Sequence, residues 1–225
     1  MVSTELPLAP GLLESLMIRK NLPQVRPVKV RAAFEQDLAA CWRRSQALHP
    51  DHSPYAFVLQ GLEGTPYFHP HVLTEEGLTQ VSQQYVANGL HETVEEGRKE
   101  LRYSVGDSPF AAELEQGLPT VNSLLQPREP ALDEESDYSL LAKAAMEAFE
   151  TLDKEGIFGN GKGREKLLLM VATSLTGNDG SAASVQRLNS PAAFRRYEAE
   201  TKITGVLASC NGLTFSPGMI TAIYC

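Results

Sequence analysis

Between Tyr55 and Leu90 two apolar runs, a turn and a helical period follow one another: YAFVLQGLEGTPYFHPHVLTEEGLTQVSQQYVANGL. Tyr55, Phe57 and Leu59 alternate with Ala56 and Val58, so the first run is apolar on both faces. A strand of that kind has to be covered on both sides. Gly61-Leu62-Glu63-Gly64 turns the chain, and Tyr67 to Leu73 brings it back. Pro66 and Pro70 remove ladder donors from this second run, which predicts a sheet edge or a bulge. Thr74 then caps a helix whose first turn carries Glu75 and Glu76, where the helix dipole favours anions. Leu78, Val81 and Tyr85 give it a buried face, and Asn88-Gly89 ends it. The remaining segments must extend this hairpin-and-helix unit or cover it.

Upstream, Val28 to Leu48 reads as a helix. Val30, Ala33, Phe34, Leu38, Cys41 and Trp42 recur at three- and four-residue steps and form one apolar stripe. Cys41 and Trp42 on that stripe are core residues rather than chemistry. Downstream, His91 to Lys99 reads as a charged, solvated connection. Glu100 to Val105 alternates, with Leu101, Tyr103 and Val105 inward, and predicts a third strand. Phe110 to Gly117 is expected to be helical, with Pro119 ending or kinking it. Residues 126–136 are proline-rich and acidic, the pattern of a linker or loop. Asp137 to Glu155 is a further helix, with Tyr138, Leu141, Ala145, Ala148, Phe149 and Leu152 on its stripe. Lys166 to Leu175 is the most apolar run and is expected to be a central strand buried on both faces. A short helical piece at Ser184 to Leu188 and a helix from Ser190-Pro191 complete the body.

The chain is therefore expected to form a single α+β domain. A mainly antiparallel sheet of about four strands (Tyr55–Leu59, Tyr67–Leu73, Leu101–Val105, Leu167–Ser174) would be covered by helices. Residues 1–27, with four prolines, read as an N-terminal arm, 28–204 as the domain, and 205–225 as a C-terminal tail.

Catalytic signatures are weak. Gly156 to Gly163 fits the G-x-x-x-x-G-K spacing of a phosphate-binding loop. Gly163 stands where the magnesium-holding Ser or Thr belongs, and the helix-then-strand context is the reverse of what that motif needs. His69-x-His71 puts two imidazoles on one face of a strand, and His49, His52 and His91 are possible further ligands. Pro70 between the pair favours a surface feature, so neither a metal nor another cofactor is expected. No G-x-S-x-G is present, and the adjacent pairs Glu75-Glu76 and Glu95-Glu96 point in different directions on a helix. An enzyme remains an alternative, with a site at polar strand ends near His69, His71 and Asp107. So does a regulatory or structural assembly subunit.

Net charge is −8 at pH 7. Phosphate binding needs clustered Lys and Arg, so nucleic acid is not an expected partner. The acidity suits a basic protein partner and equally suits simple solubility. The partner surface would include Glu75, Glu76, Glu95, Glu96, Asp133, Glu134 and Glu135. Three scattered cysteines, Cys41, Cys210 and Cys225, make no disulfide framework. The N-terminus lacks a secretory pattern and no stretch reaches membrane-spanning length, so a cytoplasmic protein with no membrane partner is expected.

Several segments in order carry a resemblance: YAFVL, the proline-bearing strand into TEEGL, ELRYSVGDSPF, EGIFGNGKGRE before an apolar strand, and LNSP before a Phe/Tyr helix. From about Val28 to Lys202 the chain resembles the bacterial domain-of-unknown-function family DUF4303. Some members occur beside secreted polymorphic toxins. The resemblance implies an immunity protein that binds and neutralises a cognate toxin as a stoichiometric inhibitor, and it supplies no active site.

Overall fold

A computed structural model describes residues 27–61, 68–110, 114, 117–125, 136–173 and 177–210. The side chains of 136–138, 173, 177–180 and 202–210 are not described. The elements are α1 (Pro27–Leu48), β1 (Pro54–Gly61), β2 (Phe68–Thr74), α2 (Glu75–Ala87), α3 (Val94–Glu100), α4 (Pro119–Leu125), α5 (Ser136–Lys154), α6 (Gly161–Lys166), β3 (Leu168–Thr173), α7 (Gly177–Leu188) and α8 (Pro191–Cys210). A 3-10 turn at Val105–Asp107 follows α3. The architecture is α+β, as expected, but the sheet has three strands in the order β2-β1-β3. β1 pairs antiparallel with β2 and parallel with β3, so the sheet is mixed.

Three expectations are thereby corrected. Leu101–Val105 is not a strand: Leu101 N–H closes on the Gly97 carbonyl at 2.8 Å and Ser104 N–H on Leu101 at 3.0 Å. The alternation there comes from packing a turn, since Leu101 and Tyr103 lie against the core while the Arg102 guanidinium is also drawn in. The apolar run at β3 is buried on both faces but lies beside the central strand, which is β1. Its outward amides are satisfied by side chains. Leu169 N–H donates to Asn189 Oδ1 at 2.9 Å, and Val171 N–H to Ser184 Oγ at 3.1 Å. An edge closed in this way offers no template for another strand. The third correction is α3, a short helix where a solvated connection was expected.

β2 is an edge strand, where Pro70 costs no ladder hydrogen bond. Pro119, expected to stop a helix, starts α4, where its missing N–H is not needed. Asp37, 2% exposed on α1, accepts the Val121 N–H of α4's first turn at 2.9 Å. Such a buried carboxylate replaces a local cap for an orphan amide. Gly156, Gly159 and Gly161 hold positive φ, at 77°, 89° and 56°, which lets the glycine-rich loop fold back. Arg164 anchors that loop to Asp153 through two hydrogen bonds, at 2.5 and 3.0 Å.

The sheet divides the core in two. On one face Phe57, Leu59, Leu169 and Val171 meet α1, α4 and α5 through Phe34, Leu38, Trp42, Val121 and Phe149. On the other, Ala56, Val58, Leu168 and Met170 meet α2, α7 and α8 through Leu78, Val81, Val185 and Tyr197. The expected stripe residues of α1 are all buried, as are Leu141, Ala145, Ala148, Phe149 and Leu152 of α5. Asp133, Glu134, Glu135, most of the 126–136 loop, the N-terminal arm and residues 211–225 lie outside the described residues. α8 itself runs on through position 205 to Cys210.

Candidate functional site

The polar chemistry of the described chain concentrates on the α2–α3 side of the sheet. Thr74 leaves β2 in an extended conformation, and its hydroxyl accepts the Gly77 N–H at 3.0 Å, which starts α2. Helices α2 and α3 then form an antiparallel pair. Their close approach requires Gly97, where a Cβ would stand 3.0 Å from Ser82 Cβ. Across the pair Arg98 binds Glu75 Oε2 at 2.6 Å, and Arg102 binds Glu75 Oε1 at 2.9 Å. Arg102 also reaches Glu200 of α8 at 3.3 Å and lies 4.4 Å above the Tyr55 ring. The Tyr55 hydroxyl donates to the Arg102 carbonyl, and the Tyr103 hydroxyl to Glu200. One guanidinium therefore ties together β1, α2 and α8.

The titrations follow from that geometry. Burial pushes the Glu75 carboxyl up, but Arg102 and then Arg98 outweigh it and hold it below the usual range. Burial works against the Arg102 charge as well, and Glu75 and Glu200 more than restore it. Glu75 is thus a structural anion rather than a free acidic charge. Burial pushes the Glu76 carboxyl up, but the Ser53 N–H it accepts at 2.8 Å, its own backbone and the nearby His52 together outweigh it and hold it low.

The turn from α2 to α3 is fixed at both ends. Gly89, at φ 71°, lets Gly89 N–H reach the Val86 carbonyl at 3.0 Å and Leu90 N–H the Tyr85 carbonyl at 2.9 Å. This is the double closure of a Schellman stop. Thr93 begins α3 by accepting the Glu96 N–H at 3.1 Å, and Glu96 Oε2 accepts the Glu92 N–H at 2.9 Å. Between the two caps Leu90 is 62% exposed. Glu92 and Glu95, further along the chain, are also exposed, with Glu95 3.7 Å from Lys99.

The four partner-surface residues that are described do not form one patch. Glu75 and Glu76 begin α2. Glu95 and Glu96 begin α3, beside the far end of α2, and a helix of that length spans about 20 Å. Of the four described, Glu95 is the exposed one, paired with Lys99 one turn on, whereas Glu96 is a capping residue. Leu90 was missed, because a lone leucine after Asn-Gly carries no sequence signal that it is exposed. α3 had one: Thr93-x-x-Glu96 is the sequence pattern of a capping box, with acids in the first turn and bases in the last, although Glu96 closes on the Glu92 N–H.

His69, His71 and Asp107 do not converge. Asp107 lines a cavity of about 10 Å³ with Tyr55, Thr74, Leu78 and Ser104, room for one water. His69 lies five strand residues from Thr74, roughly 17 Å. Asp107 accepts hydrogen bonds from the hydroxyls of Tyr85, at 2.6 Å, and Ser104, and pushes the Tyr85 phenol up to about 12. Against the expected surface feature, His71 is 8% exposed, and neither ring nitrogen has a hydrogen-bond partner among the described residues. Burial, and then the neighbouring His69, lowers it to about 4.

Residues 30–190 match the family model described as a domain of unknown function, DUF4303. The chain belongs to the DUF4303 family. The DUF4303 match begins in α1 and ends just before α8, so it contains the whole sheet and the α2–α3 corner. No curated protein and no solved structure matches the chain. No helix among the described residues is long and apolar enough to cross a membrane.

Proposed function

We propose that this DUF4303 protein is a stoichiometric binding protein that neutralises a cognate bacterial toxin in the cytoplasm, and that it docks through the α2–α3 corner. The observation that carries the reading is Leu90, a large apolar side chain 62% exposed on a corner whose backbone is capped on both sides. A rigid anchor loses little entropy on docking, and a few such anchors supply most of the affinity of an interface. Glu92 and Glu95, two and five residues further along the chain, are exposed acids, and the chain carries −8 overall. Rim charges of one sign speed the approach of an oppositely charged partner, so the toxin face is expected to be basic. The immunity role itself extends from the resemblance to proteins that occur beside polymorphic toxins.

The test is co-expression with the toxin encoded beside this gene. Cells are expected to survive with the wild-type chain and to lose protection with Leu90→Glu, while the variant keeps its fold. Death at the same rate with and without the wild-type protein, together with no complex in vitro, contradicts the reading.

A further inference from the structure

We infer that His91, Glu96 and Glu100, from α3 and the turn that precedes it, form a site for a first-row divalent metal, zinc being the best fit. One ligand atom from each residue lies within 4.8 Å of the other two. Glu96 and Glu100 are one helical turn apart, which puts both carboxylates on one face of α3. His91 enters from the preceding turn. Its side chain is nine-tenths buried, at 10% exposure, and Nδ1 points at Glu100 Oε2 across 3.7 Å. That separation is too long for a hydrogen bond. It is close to the spacing of two ligands on one zinc, roughly 3–3.5 Å for bonds of about 2 Å.

The surroundings orient these donors as a metal site requires. The Tyr85 ring stacks on the imidazole, 5.4 Å between centroids and 18° between planes. Tyr85 is itself held by its hydroxyl on Asp107 at 2.6 Å. Glu96 Oε2 is fixed by the Glu92 N–H, which leaves its other oxygen for an ion. Outer partners of this kind set the direction of the ligands and raise affinity. One nitrogen and two carboxylates suit zinc and its first-row neighbours, whereas calcium takes six to eight oxygens. Three protein ligands leave a fourth position to solvent. His69 and His71, the pair that drew attention in the sequence, take no part. The site adjoins Leu90 but does not depend on partner binding.

The experiment is calorimetric titration of the chelator-stripped full chain with Zn²⁺ and, separately, with Ca²⁺. Wild type, His91→Ala and Glu100→Gln are compared, each checked for its fold by circular dichroism. One zinc per chain is expected in the wild type, with calcium far weaker. A loss of roughly 100-fold or more in zinc affinity is expected in each variant that keeps its fold. Glu100→Gln conserves volume and carries the test if His91→Ala does not fold. The inference is overturned if the wild type takes up no stoichiometric zinc. It is equally overturned if a folded variant binds zinc as tightly as the wild type, or if calcium binds as tightly as zinc, the behaviour of a merely acidic surface.

Discussion

One face of the sheet carries Trp42, Phe57, Phe149 and Phe158 in mutual contact, with ring centroids 5.3–5.9 Å apart. The other carries Tyr55, Tyr103 and Tyr197, stacked edge to face around Arg102. Phenylalanines bring hydrocarbon and no polar atom, so at these three the first face needs only volume and shape. Each buried tyrosine hydroxyl needs a partner, and Tyr55 and Tyr103 find theirs in the Arg102 carbonyl and Glu200. Satisfying them draws in Arg102, then Glu75, then Arg98, until the polar lattice reaches α3. The aromatic face holds the fold through burial. The tyrosine face converts a buried surface into a fixed polar corner, and that corner carries both the proposed docking residues and the proposed metal ligands.

The largest effect expected from this difference is at Phe57. Phe57→Ala removes a side chain with no exposure from the centre of the aromatic cluster and should cost about 3–5 kcal/mol in chemical denaturation. A loss under about 1 kcal/mol would mean that this face is not what holds the sheet.

Next comes pH. His71 is buried without a hydrogen bond among the described residues, and its folded value, about 4, lies below the ordinary 6.5. The unfolded chain therefore takes up this proton first. Its contribution is fully present above about pH 6.5 and is lost as pH falls toward about 4. The 2.5-unit gap corresponds to about 3 kcal/mol. His71→Val should flatten that part of the stability profile, and an unchanged slope between pH 6.5 and 4 would show that the imidazole is hydrated in the folded state.

A smaller cost is expected at Arg102. Arg102→Met keeps much of the volume and removes the guanidinium from Glu75, Glu200 and the Tyr55 ring. Both partners keep some contact with water, so the loss should be about 2 kcal/mol. A value near zero would make the polar lattice ornamental. The smallest effect is at the rim. Glu92→Lys with Glu95→Lys should change stability by less than about 0.5 kcal/mol while slowing association with a basic partner several-fold. An association rate unmoved by this reversal would take the acidic rim out of the account.

Much of this contrast was legible in the sequence. Alternating apolar residues gave β1 two buried faces, Pro70 put β2 at an edge, and three-to-four spacing gave α1 and α5. What stayed hidden depended on partners distant in the chain. Leu101 to Val105 alternates like a strand, yet Arg102 turns inward because Glu75 and Glu200 are there to receive it. The parallel pairing of β1 with β3 rests on a crossover of more than a hundred residues, which local pattern does not encode. At the candidate site, Glu75, Glu76, Glu95 and Glu96 look equivalent as letters. The fold gives Glu75 to two arginines, Glu76 to Ser53 and Glu96 to a helix cap, and leaves Glu95 exposed beside Lys99.

Hydrogen exchange of the chain with and without the co-expressed toxin tests the central claim most directly, since every backbone amide reports independently. New protection is predicted in residues 88–96, around Leu90 and the start of α3, with the amides of β1 and β3 unchanged. A complex that forms with protection confined to the α1–α5 side, and none in residues 88–96, would contradict the assignment of function to the tyrosine face.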